Sequence, residues 1–289
     1  MNVVPPRWRS GRLHVEGPWP FVTRRHTTVG GRGVVWQSRP HRKGLDLEHR
    51  AGHAAIRPFW HWAGYSWSIG ALFAVGSFLF GLASVLSLVP AGTTGVSAFA
   101  VNVIYFLGSI PFTMAAFLQL VQSANASDIP GEQAAEREGR VVLVGWHPRN
   151  AGWLSSFTQF VGTVAFNANT FDAVINPRSW LVKDVAIWVP DFFGSILFLV
   201  SGYLAFIEIC HRYWSWRPRS LSWQITFINL LGCIAFMISA VLAFYPPGPE
   251  AAWIVPASTL NTLAGAVCFL IAALLTCRES GYRLRKALA

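Results

Sequence analysis

Six mostly apolar stretches lie along the chain, separated by shorter segments rich in polar residues, Pro and Gly. A helix needs about 20 apolar residues to cross the hydrocarbon core of a bilayer, so each stretch predicts a membrane-spanning helix. The third stretch carries the most Ser, Thr, Gln and Asn side chains, and we expect neighbouring helices to shield it from lipid. The predicted spans are residues 65–89, 97–121, 152–171, 185–206, 223–244 and 254–277.

A glycine followed four residues later by a phenylalanine recurs in every predicted span. These glycines are 32, 32 and 33 residues apart within three successive pairs, whereas the intervals between the pairs are irregular. The chain is therefore predicted to contain three copies of one two-helix hairpin. Small residues on one helix face let two backbones approach closely, with the aromatic ring filling the gap. The predicted packing residues are Gly76 and Phe80, Gly108 and Phe112, Gly162 and Phe166, Gly194 and Phe198, Gly232 and Phe236, and Gly265 and Phe269.

Two tryptophans, seven residues apart, precede the glycine of the first helix in each hairpin. The second and third hairpins share the string Trp-x-Pro-Arg-x-x-x-Trp, from which the first hairpin has diverged. An indole ring is amphipathic and suits the headgroup level of a bilayer, so we interpret these side chains as interface anchors. They are Trp60 and Trp67, Trp146 and Trp153, and Trp216 and Trp223.

Composition agrees with a membrane protein, since 53% of the residues are hydrophobic and 12% are charged. Soluble domains carry roughly 25% charged residues, and disordered chains combine low hydrophobicity with high net charge, so both classes are excluded. The net charge of +10 is unevenly distributed. Of the 23 Lys and Arg residues, all but Arg178 and Lys183 fall in the termini or in the loops on one side. The positive-inside rule then predicts a multi-pass plasma-membrane protein with both termini in the cytoplasm.

The predicted fold class is all-α, with six transmembrane helices arranged as three pseudo-repeated hairpins. The N-terminal arm is rich in Arg, Gly and Pro, which predicts a flexible cytoplasmic segment able to bind anionic lipid headgroups. We expect no binding of nucleic acid, because most of the chain is apolar. The predicted divisions are the arm 1–59, hairpins 60–122, 146–210 and 211–277, a cytoplasmic linker 123–145 and a basic tail 278–289.

The position three residues before each glycine indicates a possible binding site, because it is polar or aromatic and lies on the same helix face. Asp191 is an acidic residue well inside a predicted span, and a charge within a membrane is costly and often functional. The alternative is that Asp191 lies near the outer interface and only forms local hydrogen bonds. The candidate binding residues are Asp191, Gln159, Asn229, Tyr105 and, one position further from its glycine, Asn261.

Catalytic patterns are not found in the sequence. The histidines all lie at or beyond the predicted cytoplasmic ends of the spans, and the cysteines have no Cys-x-x-Cys spacing. His49 and His53 are four residues apart, which suits a metal on a helix, but many arginines and no cysteine accompany them. We therefore predict no enzyme activity, no cofactor and no metal site.

The hairpin of two spans that each bear Gly-Ser-x-x-Phe resembles the YrhK-like family of uncharacterised bacterial membrane proteins. The resemblance covers each of the three hairpins, and it implies neither a biochemical activity nor catalytic residues. Two functions stay open from the residues alone. One is a small transporter or channel-like protein with a polar stripe in the bundle interior. The other is a non-transporting scaffold, with or without self-association, whose basic arm binds lipid or a protein partner.

Overall fold

The computed structural model describes residues 14–29, 32–44, 59–90, 93, 95–126, 141–175, 184–244 and 251–288. A small N-terminal sheet precedes a bundle of six long helices. In chain order, the elements of the fold are β1 (His14–Glu16), β2 (Arg24–Val29), β3 (Arg32–Gln37), α1 (Ser38–Arg42), a 3-10 turn (Phe59–His61), α2 (Ala63–Leu88), α3 (Ala98–Ala124), α4 (Ala151–Ile175), a π-helical turn (Asp184–Trp188), α5 (Val189–Cys210), α6 (Leu221–Leu242) and α7 (Ile254–Leu288).

The six long helices form a closed ring. Each packs against its neighbours in sequence, and α7 packs against α2 to complete the circle. Helices α2, α4 and α6 begin at the end of the ring where α3 and α5 finish and where α1 docks. We call this the arm end and the opposite one the far end.

Among the described residues, five helices are long and apolar enough to cross a membrane. They are α2, α3, α5 with its preceding turn, α6 and the first 28 residues of α7. Helix α4 is not one of them, in line with the polar third stretch of the sequence. Its Ser155, Ser156 and Thr163 side chains are nevertheless buried against neighbouring helices or their own turn. A polar helix placed in this way is shielded from lipid.

Glycine and phenylalanine make reciprocal contacts within three pairs of consecutive helices, α2 with α3, α4 with α5 and α6 with α7. A Cβ atom built on Gly162 would lie 2.9 Å from the Phe198 ring, and one on Gly194 would lie 2.8 Å from Phe166. The same exchange joins α2 to α3 and α6 to α7. Only a residue without a side chain allows this approach, because the ring occupies the space that a Cβ would need. The six rings form one buried cluster, composed of Phe80, Phe112, Phe166, Phe198, Phe236 and Phe269.

The fold is helical, as predicted, and the N-terminal segment adds a small sheet that the sequence did not predict. Strands β1, β2 and β3 pair in order and antiparallel, with His14 opposite His26 and Arg25 opposite Trp36. The sheet docks on the loop after α5, where Tyr213 Oη donates to the Trp19 carbonyl at 3.1 Å. Composition alone could not predict this ordered sheet, because a contact with a residue nearly 200 positions away holds it in place.

Replacement of Gly232 by Ala should destabilise the bundle. The new Cβ would lie 2.6 Å from two atoms of the Phe269 ring, and overpacking of this kind typically costs about 1–3 kcal/mol. Thermal unfolding in detergent measures the effect. The matched control is Gly81→Ala, whose Cβ would meet its nearest neighbours at 4.0 Å and should cause no loss. Equal unfolding temperatures for both variants would refute the reciprocal packing.

Candidate functional site

A polar cavity of about 100 Å³ lies inside the ring, in the half nearest the arm end. Its deepest side chains are Phe112, Phe198 and Phe269, from the three helices that return to the arm end. A smaller space of about 10 Å³ lies within the phenylalanine cluster. A water molecule needs roughly 10–15 Å³, so the larger cavity has room for several waters and the smaller one for about one at most. The phenylalanine cluster therefore closes the bundle axis.

Two of the predicted binding residues, Gln159 and Asn229, line the polar cavity. Phe73 takes the equivalent position on α2, three residues before Gly76. These three positions share a depth because α2, α4 and α6 all begin at the arm end. The Gln159 side chain has no hydrogen bond in the described part of the chain, and the Asn229 amide has a long contact of 3.8 Å with Cys233 Sγ.

The other predicted binding residues lie elsewhere. Tyr105 donates to Ser84 Oγ at 2.9 Å and packs against Phe80, and Asn261 donates to the carbonyl of Ala257 in its own helix. Asp191 lies in the first turn of α5 and lines neither cavity. These residues belong to helices that begin at the far end, so the position before their glycine falls on the opposite side of the phenylalanine cluster. The five candidates do not form one stripe.

The charged residues at the arm end are not among those predicted from the sequence. Arg42 donates to both carboxylate oxygens of Glu208 on α5, at 2.9 and 3.0 Å. Arg39 forms the same two-pronged pair with Glu279 on α7, at 2.8 and 2.9 Å. The Glu208 side chain is fully buried and the Arg42 side chain is 8% exposed. Paired and hydrogen-bonded in this way, the two carboxylates meet the usual requirement for charge away from water.

A spacing in the sequence could have identified these acids. Glu208 and Glu279 each follow the glycine of their helix by 14 residues, and Gln122 occupies the same position on α3. Gln122 donates to Ser66 Oγ at 3.1 Å and to the carbonyl of Trp60 at 2.7 Å. The three residues thus occupy matching places at the arm end, where two carry charge and one does not.

Lys43 adds a third cation to this cluster. Its Nζ lies 3.1 Å from Glu279 Oε2, the carboxylate that Arg39 also binds, and its side chain is 14% exposed. Burial, together with the charge of Arg39, lowers the pKa of Lys43 from 10.5 to about 8, although Glu279 opposes this shift. In the cluster of Arg39, Arg42, Lys43, Glu208 and Glu279, three cations therefore meet two carboxylates.

Two of the six tryptophans predicted to be interface anchors are buried instead. Trp153 Nε1 donates to the carbonyl of Val144 and Trp223 Nε1 to that of Ser215, so both rings are fixed by the preceding loop. Each ring also stacks on a phenylalanine four residues later. Trp67, Trp146 and Trp216 are exposed and Trp60 is half-buried.

No group of three or more His, Cys, Asp or Glu side chains within the described ranges is arranged to hold a metal ion. His49 and His53 lie outside those ranges. Comparison of the chain with protein-family models, curated proteins and solved structures gives no match. The resemblance to the YrhK-like family therefore stays a prediction.

Replacement of Gly152 by Ala should release α1 from the bundle. A Cβ at this position would overlap the guanidinium of Arg42 and meet Glu208 Oε1, so Arg42 would have to leave its carboxylate. Breaking a buried pair typically costs about 3–5 kcal/mol. Hydrogen exchange of residues 38–44 should accelerate in this variant. It should not change in the control Gly64→Ala, since nothing lies within 4 Å of the added methyl group. Unaltered exchange in both variants would contradict the docked arrangement.

Acidification should loosen the sheet from the bundle, because His211, directly after α5, contacts the segment before β2, with its Nδ1 3.0 Å from Thr23 Oγ1. Burial, with repulsion from Arg24 and Arg217, lowers the pKa of His211 from 6.5 to about 4, while Glu16 and Glu208 act in the opposite direction. The undocked state therefore binds more protons between these values, and the docking that is complete above pH 6.5 weakens as the pH falls towards 4.

Hydrogen exchange of β1 to β3, corrected for intrinsic rates, measures this pH dependence. We expect exchange to accelerate as the pH falls from 6.5, and the change to shrink in His211→Asn, which keeps a polar side chain suited to the left-handed backbone at φ 55°. Helix α6 serves as the internal reference. An identical pH profile in the variant would assign the effect to another group.

Proposed function

We propose that this protein is a small channel-like or transporting protein of the plasma membrane, with a pathway along the axis of three two-helix hairpins. The proposal includes six spans, with α4 shielded by its neighbours, and both termini in the cytoplasm. It includes no catalytic role. The observation that carries it is the polar cavity, which lies between the docked α1 and the phenylalanine cluster.

The distribution of exposed charge supports the orientation. In the part of the chain that the structure describes, five arginines are exposed around the arm end, and the exposed rings of Trp146 and Trp216 accompany them. Cationic side chains with interfacial tryptophans suit a cytoplasmic surface that contacts anionic headgroups. The arginines are Arg149, Arg212, Arg217, Arg219 and Arg278.

The cavity has the chemistry of a pathway vestibule. Its walls present the amides of Gln119, Gln159 and Asn229 and several hydroxyl groups, whereas the outward faces of the same helices are apolar. A helix packed solely for stability has no need of unpaired amides in its interior, because buried polar groups without partners are costly. Amides that face a water-filled space escape this cost.

The pathway is closed at the centre of the bundle. Phe80, Phe166 and Phe236 lie beyond Phe112, Phe198 and Phe269, and edge-to-face contacts such as Phe166 to Phe236 at 5.8 Å hold the rings together. An apolar constriction with a free volume of about 10 Å³ excludes water and ions until the rings move apart. We therefore assign the structure to a closed state.

Ion flux into proteoliposomes tests the proposal. Phe198→Ala should raise the flux of chloride or potassium by at least about tenfold over wild type, because it widens the apolar constriction. The control is Phe193→Ala, which removes a ring that is 50% exposed on the same helix. Adding Gln159→Leu and Asn229→Leu to Phe198→Ala should reduce the flux again by removing the polar lining.

Thermal unfolding shows whether each variant is folded, and Phe269→Ala provides a second, independent opening of the constriction. A folded Phe198→Ala and a folded Phe269→Ala that conduct no better than Phe193→Ala would overturn the pathway.

A further inference from the structure

Among the described residues, the buried charges at the arm end do not balance. Helix α1 and its C-terminal neighbour bring Arg39, Arg42 and Lys43 into the bundle, and the partners they meet there are Glu208 and Glu279. All five side chains are at most 14% exposed. A buried ionic cluster with one extra positive charge is unfavourable, since the cost of removing an ion from water is repaid only by a counter-charge.

Lys43 carries the least compensated of these charges. An ammonium group has three donors, and the Glu279 carboxylate that accepts from Lys43 already accepts two bonds from Arg39. Lys43 also lines the polar cavity, so its side chain borders both the ionic cluster and the open space. An acceptor inside the cavity is therefore well placed to complete the shell around this group.

Arg42 places a second cation at the same boundary. Its two terminal nitrogens bind Glu208, whereas its Nε is buried without a hydrogen-bond partner and the residue lines the cavity. A buried N–H without an acceptor costs about 1–3 kcal/mol, more when the group is charged. This Nε is shielded from water as well as from acceptors, so Arg42 adds positive charge beside the cavity without bonding a ligand through it.

The remaining wall of the cavity supplies neutral donors. The amides of Gln119 and Gln159 have no hydrogen bond in the described part of the chain, and Asn229 has its long contact with sulfur. Glu208 is the acidic residue among the lining side chains, and both of its oxygens are occupied by Arg42. Extra positive charge and free amide donors around a small volume are the elements of an anion site.

We propose that the polar cavity binds one small monovalent anion, such as chloride or a short carboxylate, between Lys43 and the amides of Gln159 and Asn229. The ligand neutralises the third cation and accepts hydrogen bonds from the cavity wall. A volume of about 100 Å³ admits an ion of this size and excludes a large organic anion. This inference rests on the proposed function, because it names the class of ligand that the proposed pathway takes.

Thermal unfolding in detergent tests the site, with chloride or acetate replacing gluconate at constant sodium concentration. An anion that binds the folded state raises the unfolding temperature in a saturable way. We expect Lys43→Gln and Gln159→Leu each to raise the half-saturating concentration by about tenfold or more, because each removes one donor or charge from the site. Lys43→Arg should keep binding, because it keeps the charge.

The matched control is Arg219→Gln, which removes an exposed cation at the same end and should leave the half-saturating concentration within about twofold, because exposed charges interact weakly. No preference for chloride or acetate over gluconate would overturn the anion site. An equal effect of chloride on wild type and Lys43→Gln would also overturn it, as a general salt effect.

Binding and flux separate the two proposals. Saturable anion binding with no flux through folded Phe198→Ala or folded Phe269→Ala would retain the site and reject the pathway. Flux through Phe198→Ala without anion binding that depends on Lys43 would reject the site alone.

Discussion

The reciprocal contact between a glycine and the phenylalanine of the next helix determines the geometry of the whole bundle. Because each ring takes the place of a missing side chain, paired helices lie at one fixed height relative to each other. That height in turn decides which residues meet at the ends. Ser66 meets Gln122, Gly152 meets Glu208 and Ser222 meets Glu279, and each pair joins the position ten residues before one glycine to the position fourteen after the next.

The three matching positions at the arm end are not equivalent where α1 docks. At the three matching positions, Gln122 is neutral while Glu208 and Glu279 are charged, so two places can receive a guanidinium and one cannot. Small residues fit the same arrangement, since Gly152 leaves room for the Arg42 side chain and Ser222 accepts from Arg39 at 2.7 Å. The arm can therefore dock on the ring in only one orientation.

Much of the bundle could be predicted from the sequence, because apolar length and the Gly-to-Phe spacing are local patterns that packing preserves. The arm could not, since Arg42 and its partner Glu208 are 166 residues apart and neither lies in a recognisable motif. The candidate site was predicted in part. Gln159 and Asn229 line the cavity, but Asp191 and Tyr105 were grouped with them because one offset was applied to helices that run in opposite directions.

The arm and the bundle depend on each other for charge. Without α1, Glu208 and Glu279 would lose their cationic partners, and a buried carboxylate left without a counter-charge costs several kcal/mol. With α1 in place, the excess charge is positive instead, since the cluster then contains three cations and two carboxylates. Any movement that withdraws α1 must therefore exchange the arm for other cations or for protons. The state with α1 docked instead favours an anion, so the ion content of the cavity is coupled to the position of the arm.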